Sequence, residues 1–224
     1  NGFSNHDKEK LEINDVDVFV HTWDVARLFK INETNSVHEP IEIDFEKFTE
    51  EGKGLQCLQV PSIDEMYDCY LAIVPGEVLA NLYKEFSNEL LESNVRAFLG
   101  QAGKFNKGIR DTIRTKPQMF LPYNNGITAT AESVETKLVD GQTVITRLND
   151  FQIVNGGQTT ASLYHTQKKF KEADLSKIYV QMKLTVIKDK EQKNIEVPNI
   201  SRFANSQNKV SELDLSSNNP YFIQ

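Results

Sequence analysis

Two periodicities of hydrophobic and polar residues run along this chain, and each predicts a different kind of element. Val16, Val18 and Val20 occupy alternate positions within residues 12–23, which is the pattern of a half-buried strand. Over residues 77–92, apolar residues recur near every 3.6 positions and predict a helix with one buried face. A short helix is predicted to begin at Asp24, and the polar residues 1–10 are expected to fray.

The remaining elements follow from the same two patterns and from turn residues. We predict further strands at 41–45, 55–60, 69–74 and 178–187, and a strand-like region at 119–154. Within that region, Asp140-Gly141 predicts a hairpin turn between strands at 134–139 and 144–148. We predict helices at 106–115, 158–170 and 190–208, the last kinked or restarted at Pro198.

Strands interspersed with helices indicate an α/β (α+β) fold, in which helices flank a mixed β-sheet. We expect residues 1–75 to form a small, mostly β region and residues 76–224 to form a mixed α/β core. The boundary near Pro75 is soft, and a single domain remains an alternative. Because the chain starts at Asn1 and not at Met, we expect it to be a fragment of a longer protein.

Composition and charge narrow the classes of partner. With 39% hydrophobic and 25% charged residues, the chain has the composition of a globular protein. The net charge of −7 argues against binding duplex DNA over the whole surface, but it leaves room for a local basic groove. No apolar run reaches the roughly 18 residues of a membrane helix, so no membrane partner is expected. Cys57 and Cys69, without a CxxC spacing, predict free thiols in the cytoplasm.

The segment most informative about chemistry is residues 151–163, which read as a strand, a double glycine and a helix. Gly156 and Gly157 tolerate positive φ and let a ligand approach the backbone closely. Just beyond them, the helix presents free N–H groups and the positive end of its dipole, which suits phosphate. We therefore predict an anion-binding turn formed by Asn155, Gly156, Gly157, Gln158, Thr159 and Thr160. The alternative is a plain strand-to-helix turn.

Two other segments are rich in amides, which can bind a base edge, a ribose or a phosphate. Asn124 and Asn125 precede a predicted strand, while Asn205, Gln207 and Asn208 lie near the end of the last predicted helix. We include all five in the predicted ligand site. The alternatives are a simple turn for the first segment and helix termination for the second.

Charged residues near the middle of the chain supply further candidates. Glu92 and Arg96 lie among apolar residues, where an Arg is either a paired structural charge or a fork for phosphate. Lys107, Arg110 and Arg114 fall at i, i+3 and i+7 and therefore share one helical face. That face is either a basic surface for nucleic acid or an ordinary solvated helix face.

No metal site is predicted, because His6, His21, His38 and His165 show no HxxxH, HExxH or HxH spacing. A degenerate metal nuclease could still be assembled from Asp150 with Gln181 and Lys183 on the strand at 179–183. That pattern is short and frequent by chance.

Taken together, these segments resemble the AIPR family, named for abortive-infection phage resistance in bacteria. The matching stretches are HTWDVAR at 21–27, LLESNVRAFLG at 90–100, NKGIRDT at 106–112, YNNGIT at 123–128, QIVNGGQTT at 152–160 and ANSQNKV at 204–210. The resemblance implies a bacterial defence context and does not specify a reaction. Members are usually considerably longer than this chain.

The glycine turn is also similar, more distantly, to the DGQHR-type turn and to the turn of ParB and sulfiredoxin-like folds, which holds nucleotide phosphates. Thr159-Thr160 stands here where those families often carry His-Arg. A positive charge for phosphate would then have to come from Arg96, Arg110 or Arg202.

Three hypotheses follow for function. The first is a phage-defence module that binds a nucleotide or nucleic acid. If it is an enzyme, it would be a phosphate-ester hydrolase (a nuclease or an NTPase), with Mg²⁺ as cofactor and Glu92 as base or metal ligand. Glu92 and Arg96 would orient or neutralise the ligand. The second is a non-enzymatic interaction scaffold whose Asn, Gln and Arg residues form a structural hydrogen-bond network. The third is the metal nuclease. A homo-oligomer or a partner protein of a defence system is expected.

Overall fold

The structure, a computed structural model, describes residues 8–13, 16–21, 40–49, 52–61, 65–91 and 107–206. The chain divides into two compact units, Asn1–Glu39 and Pro40–Gln224. In the first, β1 (Lys8–Ile13) pairs antiparallel with β2 (Val16–His21). β2 confirms the strand predicted within residues 12–23 over residues 16–21, whereas residues 12–13 belong to β1. The predicted fraying is wrong from Lys8 onward, because this polar segment gains a strand partner. The helix predicted at Asp24 lies outside the described residues.

The second unit contains the remaining elements. Its strands are β3 (Ile43–Asp44), β4 (Leu55–Gln59), β5 (Tyr67–Pro75), β6 (Ile127–Ala131), β7 (Ser133–Val139), β8 (Gln142–Asn149), β9 (Gln152–Asn155) and β10 (Tyr179–Ile187). Its α-helices are α1 (Phe45–Phe48), α2 (Gly76–Phe86), α3 (Lys107–Thr115), α4 (Phe120–Tyr123), α5 (Gly157–Lys169) and α6 (Lys190–Asn205).

The strands of this unit form one mixed sheet in the order β3-β8-β4-β5-β10-β6-β9, with β7 paired to β8. β10 runs parallel to β6, whereas β5 pairs with β10 antiparallel. The predicted α/β (α+β) fold with a mixed sheet flanked by helices is therefore confirmed. Strands from both sides of the boundary expected near Pro75 share this sheet.

Helices lie on both faces of the sheet, and each packs on a different set of residues. α2 and α5 cover one face and enclose the main core, which includes Leu79, Leu82, Leu163, Val180 and Leu184. α6 lies on the opposite face, where Val197 and Ile200 pack against Val154 and Ile187. Among the described residues, no helix is both long and apolar enough to cross a bilayer.

Short elements depart most from the sequence predictions. The strand predicted at 41–45 shrinks to Ile43–Asp44, because the Asp44 carboxylate accepts the Glu46 N–H and caps α1. Residues 120–123, predicted as strand-like, form α4, which follows a 3₁₀ turn with Pro117 at its first position. The hairpin at Asp140-Gly141 is confirmed, with both residues at positive φ as a type I′ turn requires.

α6 runs through Pro198 as one helix, so the predicted restart is wrong, while the predicted kink stays a prediction. Pro198 is exposed, and the helix is anchored on both sides of it. Lys193 pairs with Glu132 and Asp150 on one side, and Ser201 donates to the Val154 carbonyl on the other. These contacts therefore anchor α6 on both sides of the backbone hydrogen bond that Pro198 removes.

Candidate functional site

The first two polar segments predicted from the sequence meet at the start of α5. The Asn124 side chain donates from Nδ2 to Thr159 Oγ1 (3.2 Å), and its Oδ1 accepts the Gly126 N–H (2.9 Å). One asparagine thus shapes the turn before β6 and ties it to the first turn of α5. These contacts fix the loop that carries Asn125 beside the helix.

The end of α6 joins the same region through a β-bulge. Asn155 pairs with Thr128 and Ile153 with Ala129, so Val154 is an extra residue in β9. Its carbonyl accepts hydrogen bonds from Asn205 Nδ2 (2.9 Å) and Ser201 Oγ (3.3 Å). Two residues one turn apart on α6 therefore bind at the bulge.

Asn155 adds a second link to α6. Its Nδ2 donates to Asn205 Oδ1 (2.7 Å) and to the Ala204 carbonyl (3.1 Å). Segments near positions 124, 155 and 205 thus converge on one place, which we call the polar cluster: Asn124, Asn125, Asn155, Gly156, Gly157, Gln158, Thr159 and Asn205.

Gly156 is required for close packing. Its φ is +88°, and a Cβ there would lie 2.6 Å from Ile127 Cγ2 and 2.7 Å from the Gly126 carbonyl oxygen. Gly126 is equally constrained, since a Cβ would lie 2.3 Å from the Gln181 carbonyl oxygen. On this side, the space expected to admit a ligand is filled by the β6 strand and its preceding turn.

The N-terminus of α5 has no side-chain cap. Thr160 donates both its N–H (3.2 Å) and its hydroxyl (3.4 Å) to the Gly156 carbonyl and is fully buried. In the described part of the chain, no acceptor receives a hydrogen bond from the backbone amides of Gly157, Gln158 or Thr159. The first-turn donors that a phosphate would use are therefore not consumed by those residues.

Two side chains of the polar cluster are also uncommitted. Asn125 is exposed and Gln158 is half-buried, and neither bonds to any residue that the structure describes. They differ in this respect from Asn124, Asn155 and Asn205, whose amides hold the backbone together. The residues best suited to touch a ligand are consequently Asn125 and Gln158.

The predicted basic face of α3 is partly engaged elsewhere. Arg114 stacks on the Phe170 ring (3.9 Å to its centroid) and pairs with Glu172 at 3.4 Å. Arg110 lies 3.7 Å from Asp111, with its Nε buried and without a hydrogen-bond partner. Lys107 is exposed. Of the three, only Lys107 forms no ion pair or ring contact with a residue that the structure describes.

Lys183 lies two strands away from Asn155 of the polar cluster. The sequence alone did not indicate this proximity. The register places Lys183 beside Thr128 on β6, and Thr128 beside Asn155 on β9. Two strand spacings separate Lys183 from Asn155, or about 10 Å. The signal for this proximity is the parallel pairing of β10 with β6, which joins segments about 50 residues apart and is invisible to local patterns.

The carboxylate of the nuclease alternative, Asp150, is buried and forms an ion pair with Lys193 on α6. Burial lowers the pKa of Lys193, but hydrogen bonds and charge from Asp150 and Glu132 outweigh it and raise that pKa overall. The hydrogen bond from Lys190, assisted by Lys193, lowers the pKa of Glu132 despite its partial burial. This charge cluster therefore anchors the N-terminal half of α6 to the sheet.

Several predicted residues fall outside the described residues: Glu92, Arg96, Gln207 and Asn208. Their roles stay predictions. Within the described ranges, no three His, Cys, Asp or Glu residues come together as metal ligands.

Comparison with known proteins gives one match. A family model described as AIPR protein matches residues 91–224, which include the whole polar cluster. No curated protein and no solved structure matches the chain.

Proposed function

The chain belongs to the AIPR family, and we propose that it is a bacterial phage-defence module that binds a nucleotide or nucleic acid at the polar cluster. Membership of a family named for abortive-infection phage resistance implies the defence role. The binding role is the further step. It rests on the convergence of three separate segments around an uncapped helix N-terminus.

The polar cluster contains residues that hold the backbone in place and residues that can contact a ligand, which supports this proposal. Asn124, Asn155 and Asn205 bond to backbone groups or to one another, so their positions are fixed. Asn125 and Gln158 are held beside them with their own amides available. Fixed neighbours around a few available donors are what a binding site needs, because ordering on binding then costs little.

The experiment compares adjacent asparagines. Asn125→Ala combined with Gln158→Ala is expected to abolish binding of ATP, GTP and a short single-stranded oligonucleotide, measured by calorimetry, at near-wild-type melting temperature. Asn124→Ala is the matched control, and it should lower the melting temperature because it breaks the bond to Thr159. If wild-type protein binds none of these probes, or if the double variant binds them unchanged, the proposal is wrong.

A second candidate function is the non-enzymatic scaffold, and the hydrogen bonds of Asn124, Asn155, Asn205 and Thr160 favour it. Under this alternative, the polar cluster serves only to fix α5 and α6 on the sheet. Asn124→Ala or Asn205→Ala would then lower the melting temperature, Asn125→Ala with Gln158→Ala would leave it unchanged, and no nucleotide would bind. Phosphate-ester chemistry with Mg²⁺ and Glu92 stays a prediction.

A further inference from the structure

The middle of the sheet has a face that carries apolar side chains into solvent. Leu58 on β4 is 68% exposed, Leu71 and Ile73 on β5 are 40% and 45% exposed, and Tyr179 on β10 is 47% exposed. The register pairs Leu71 with both Leu58 and Lys183, and Ile73 with Gln181. We call this surface the open face: Leu58, Leu71, Ile73, Tyr179, Gln181 and Lys183.

The open face contains one charged residue, Lys183, and its sign is opposite to the net charge of the chain. β5 and β10 pair along residues 67–75 and 179–187. Of the residues in these ranges whose side chains point to the solvent side, Lys183 is charged and none is a carboxylate. The chain as a whole carries −7. A phosphate on the open face therefore meets one cation and no carboxylate of β5 or β10.

Alternate residues of β10 place three different polar groups on the open face. Tyr179, Gln181 and Lys183 project to the same side at alternate positions and together offer an aromatic ring, an amide and an ammonium group. Beside Tyr179 the face deepens into a groove of about 360 Å³, whose lining includes Ile73, Gln56 and Lys53, with Asp140 at the hairpin tip.

The open face is continuous with the polar cluster. Lys183 is one strand away from Thr128 and two strands away from Asn155. A ligand of the polar cluster that extends over Thr128 would therefore reach Lys183 and, beside it, Leu71 on β5.

We propose that the open face binds single-stranded nucleic acid, with bases stacked on Tyr179 and on the apolar side chains of Leu71 and Ile73, and with a phosphate on Lys183. This inference rests on the proposed function, since it takes the ligand of the polar cluster to be one end of a longer nucleic-acid chain. Unpaired bases suit an exposed aromatic and apolar surface. A duplex hides its bases and would meet an acidic protein with few cations.

The experiment measures fluorescence anisotropy with labelled single-stranded DNA and RNA of about 12 nucleotides, and calorimetry with ATP. Tyr179→Ala is expected to weaken oligonucleotide binding by about 5- to 150-fold, whereas Tyr179→Phe keeps the ring and the affinity. Lys183→Gln is expected to reduce the slope of log K against log salt by about 0.7. Lys171→Gln, at an exposed lysine in the loop after α5, is the matched control and should change neither.

The outcomes separate this inference from the proposed function. If ATP and an oligonucleotide bind equally well and the Tyr179 and Lys183 variants change nothing, the open face is not a nucleic-acid surface, although the polar cluster binds a nucleotide. If oligonucleotides bind and only the Asn125 and Gln158 variants weaken them, the same conclusion holds. If no probe binds, both proposals are wrong. If light scattering shows a dimer that Leu71→Ser dissociates, the open face is a protein interface and the inference is overturned.

Discussion

Gly156→Ala tests whether the double glycine serves close packing. Gly141 provides a matched control, because it has nearly the same φ (+78° against +88°) but no atom within 4 Å of the position that a Cβ would take. Both substitutions force alanine into the left-handed region, which costs roughly 1–2 kcal/mol. Only the one at Gly156 also drives a methyl group to 2.6 Å from Ile127 Cγ2 and 2.7 Å from the Gly126 oxygen.

Overpacking of that kind typically costs about 1–3 kcal/mol more. We therefore expect Gly141→Ala to lower the free energy of unfolding by about 1–2 kcal/mol and Gly156→Ala by about 2–5 kcal/mol. Urea denaturation with an unchanged m-value measures the difference. Equal losses in the two variants would refute the reasoning, since φ alone would then account for both.

Three further predictions concern the attachment of α6. Lys193→Met leaves Asp150 buried without this counter-charge and is expected to cost about 3–5 kcal/mol in urea unfolding. Lys190→Met, at a mostly exposed lysine, should cost less than about 1 kcal/mol, and equal losses would contradict this. Because the pKa of Glu132 is lowered in the folded state, its stabilisation is present above the unfolded pKa and is lost as pH falls through the folded pKa. Glu132→Gln should therefore flatten the acid limb of a stability–pH curve, and an unchanged limb would exclude this source. Asn205→Ala removes a donor to the β9 bulge and should cost about 1–3 kcal/mol by thermal melting, whereas an unchanged melt would show the bond to be unimportant.

Elements with a strong local signal could be predicted from the sequence. The apolar period of α2, the strand–glycine–helix sequence around α5 and the Asp140-Gly141 hairpin are each encoded within about 16 residues. Their bounds in the structure differ from the predicted ones by a few residues at most, except that α2 ends at Phe86 and a 3₁₀ turn follows. Local patterns are sufficient where the conformation of an element is determined by its own residues.

The misjudged elements are those that depend on neighbours. β1 is polar and becomes a strand only because β2 lies beside it. Residues 120–123 are apolar enough for a strand, but Pro117 starts a helical turn that continues into them. In both places the deciding contact or residue lies outside the segment whose own pattern suggested the wrong structure.

The members of the candidate site could be named from sequence, but not their individual roles. Asn124 and Asn125 are adjacent and chemically identical, yet only Asn124 bonds to Thr159. The nuclease hypothesis joins Lys183 to Asp150, whereas the strand register puts Lys183 beside Thr128 and the ion pairs put Asp150 with Lys193. Roles of this kind depend on register and on the bulge at Val154, which no period in the sequence encodes.

The hydrogen-bond network and the proposed ligand site are compatible because a side-chain amide has both a donor (its NH2 group) and an acceptor (its oxygen). Asn155 donates from Nδ2 to α6, while no described residue donates to its Oδ1. The hydrogen bonds from Asn155 Nδ2 to α6 therefore fix the direction in which its Oδ1 points. A network that satisfied every amide would leave nothing for a ligand, and one that satisfied none would leave the turn without a defined shape. The arrangement around α5 lies between these extremes. The bulge, α6 and Asn124 hold the turn, while the side chains of Asn125 and Gln158 bond to no residue that the structure describes.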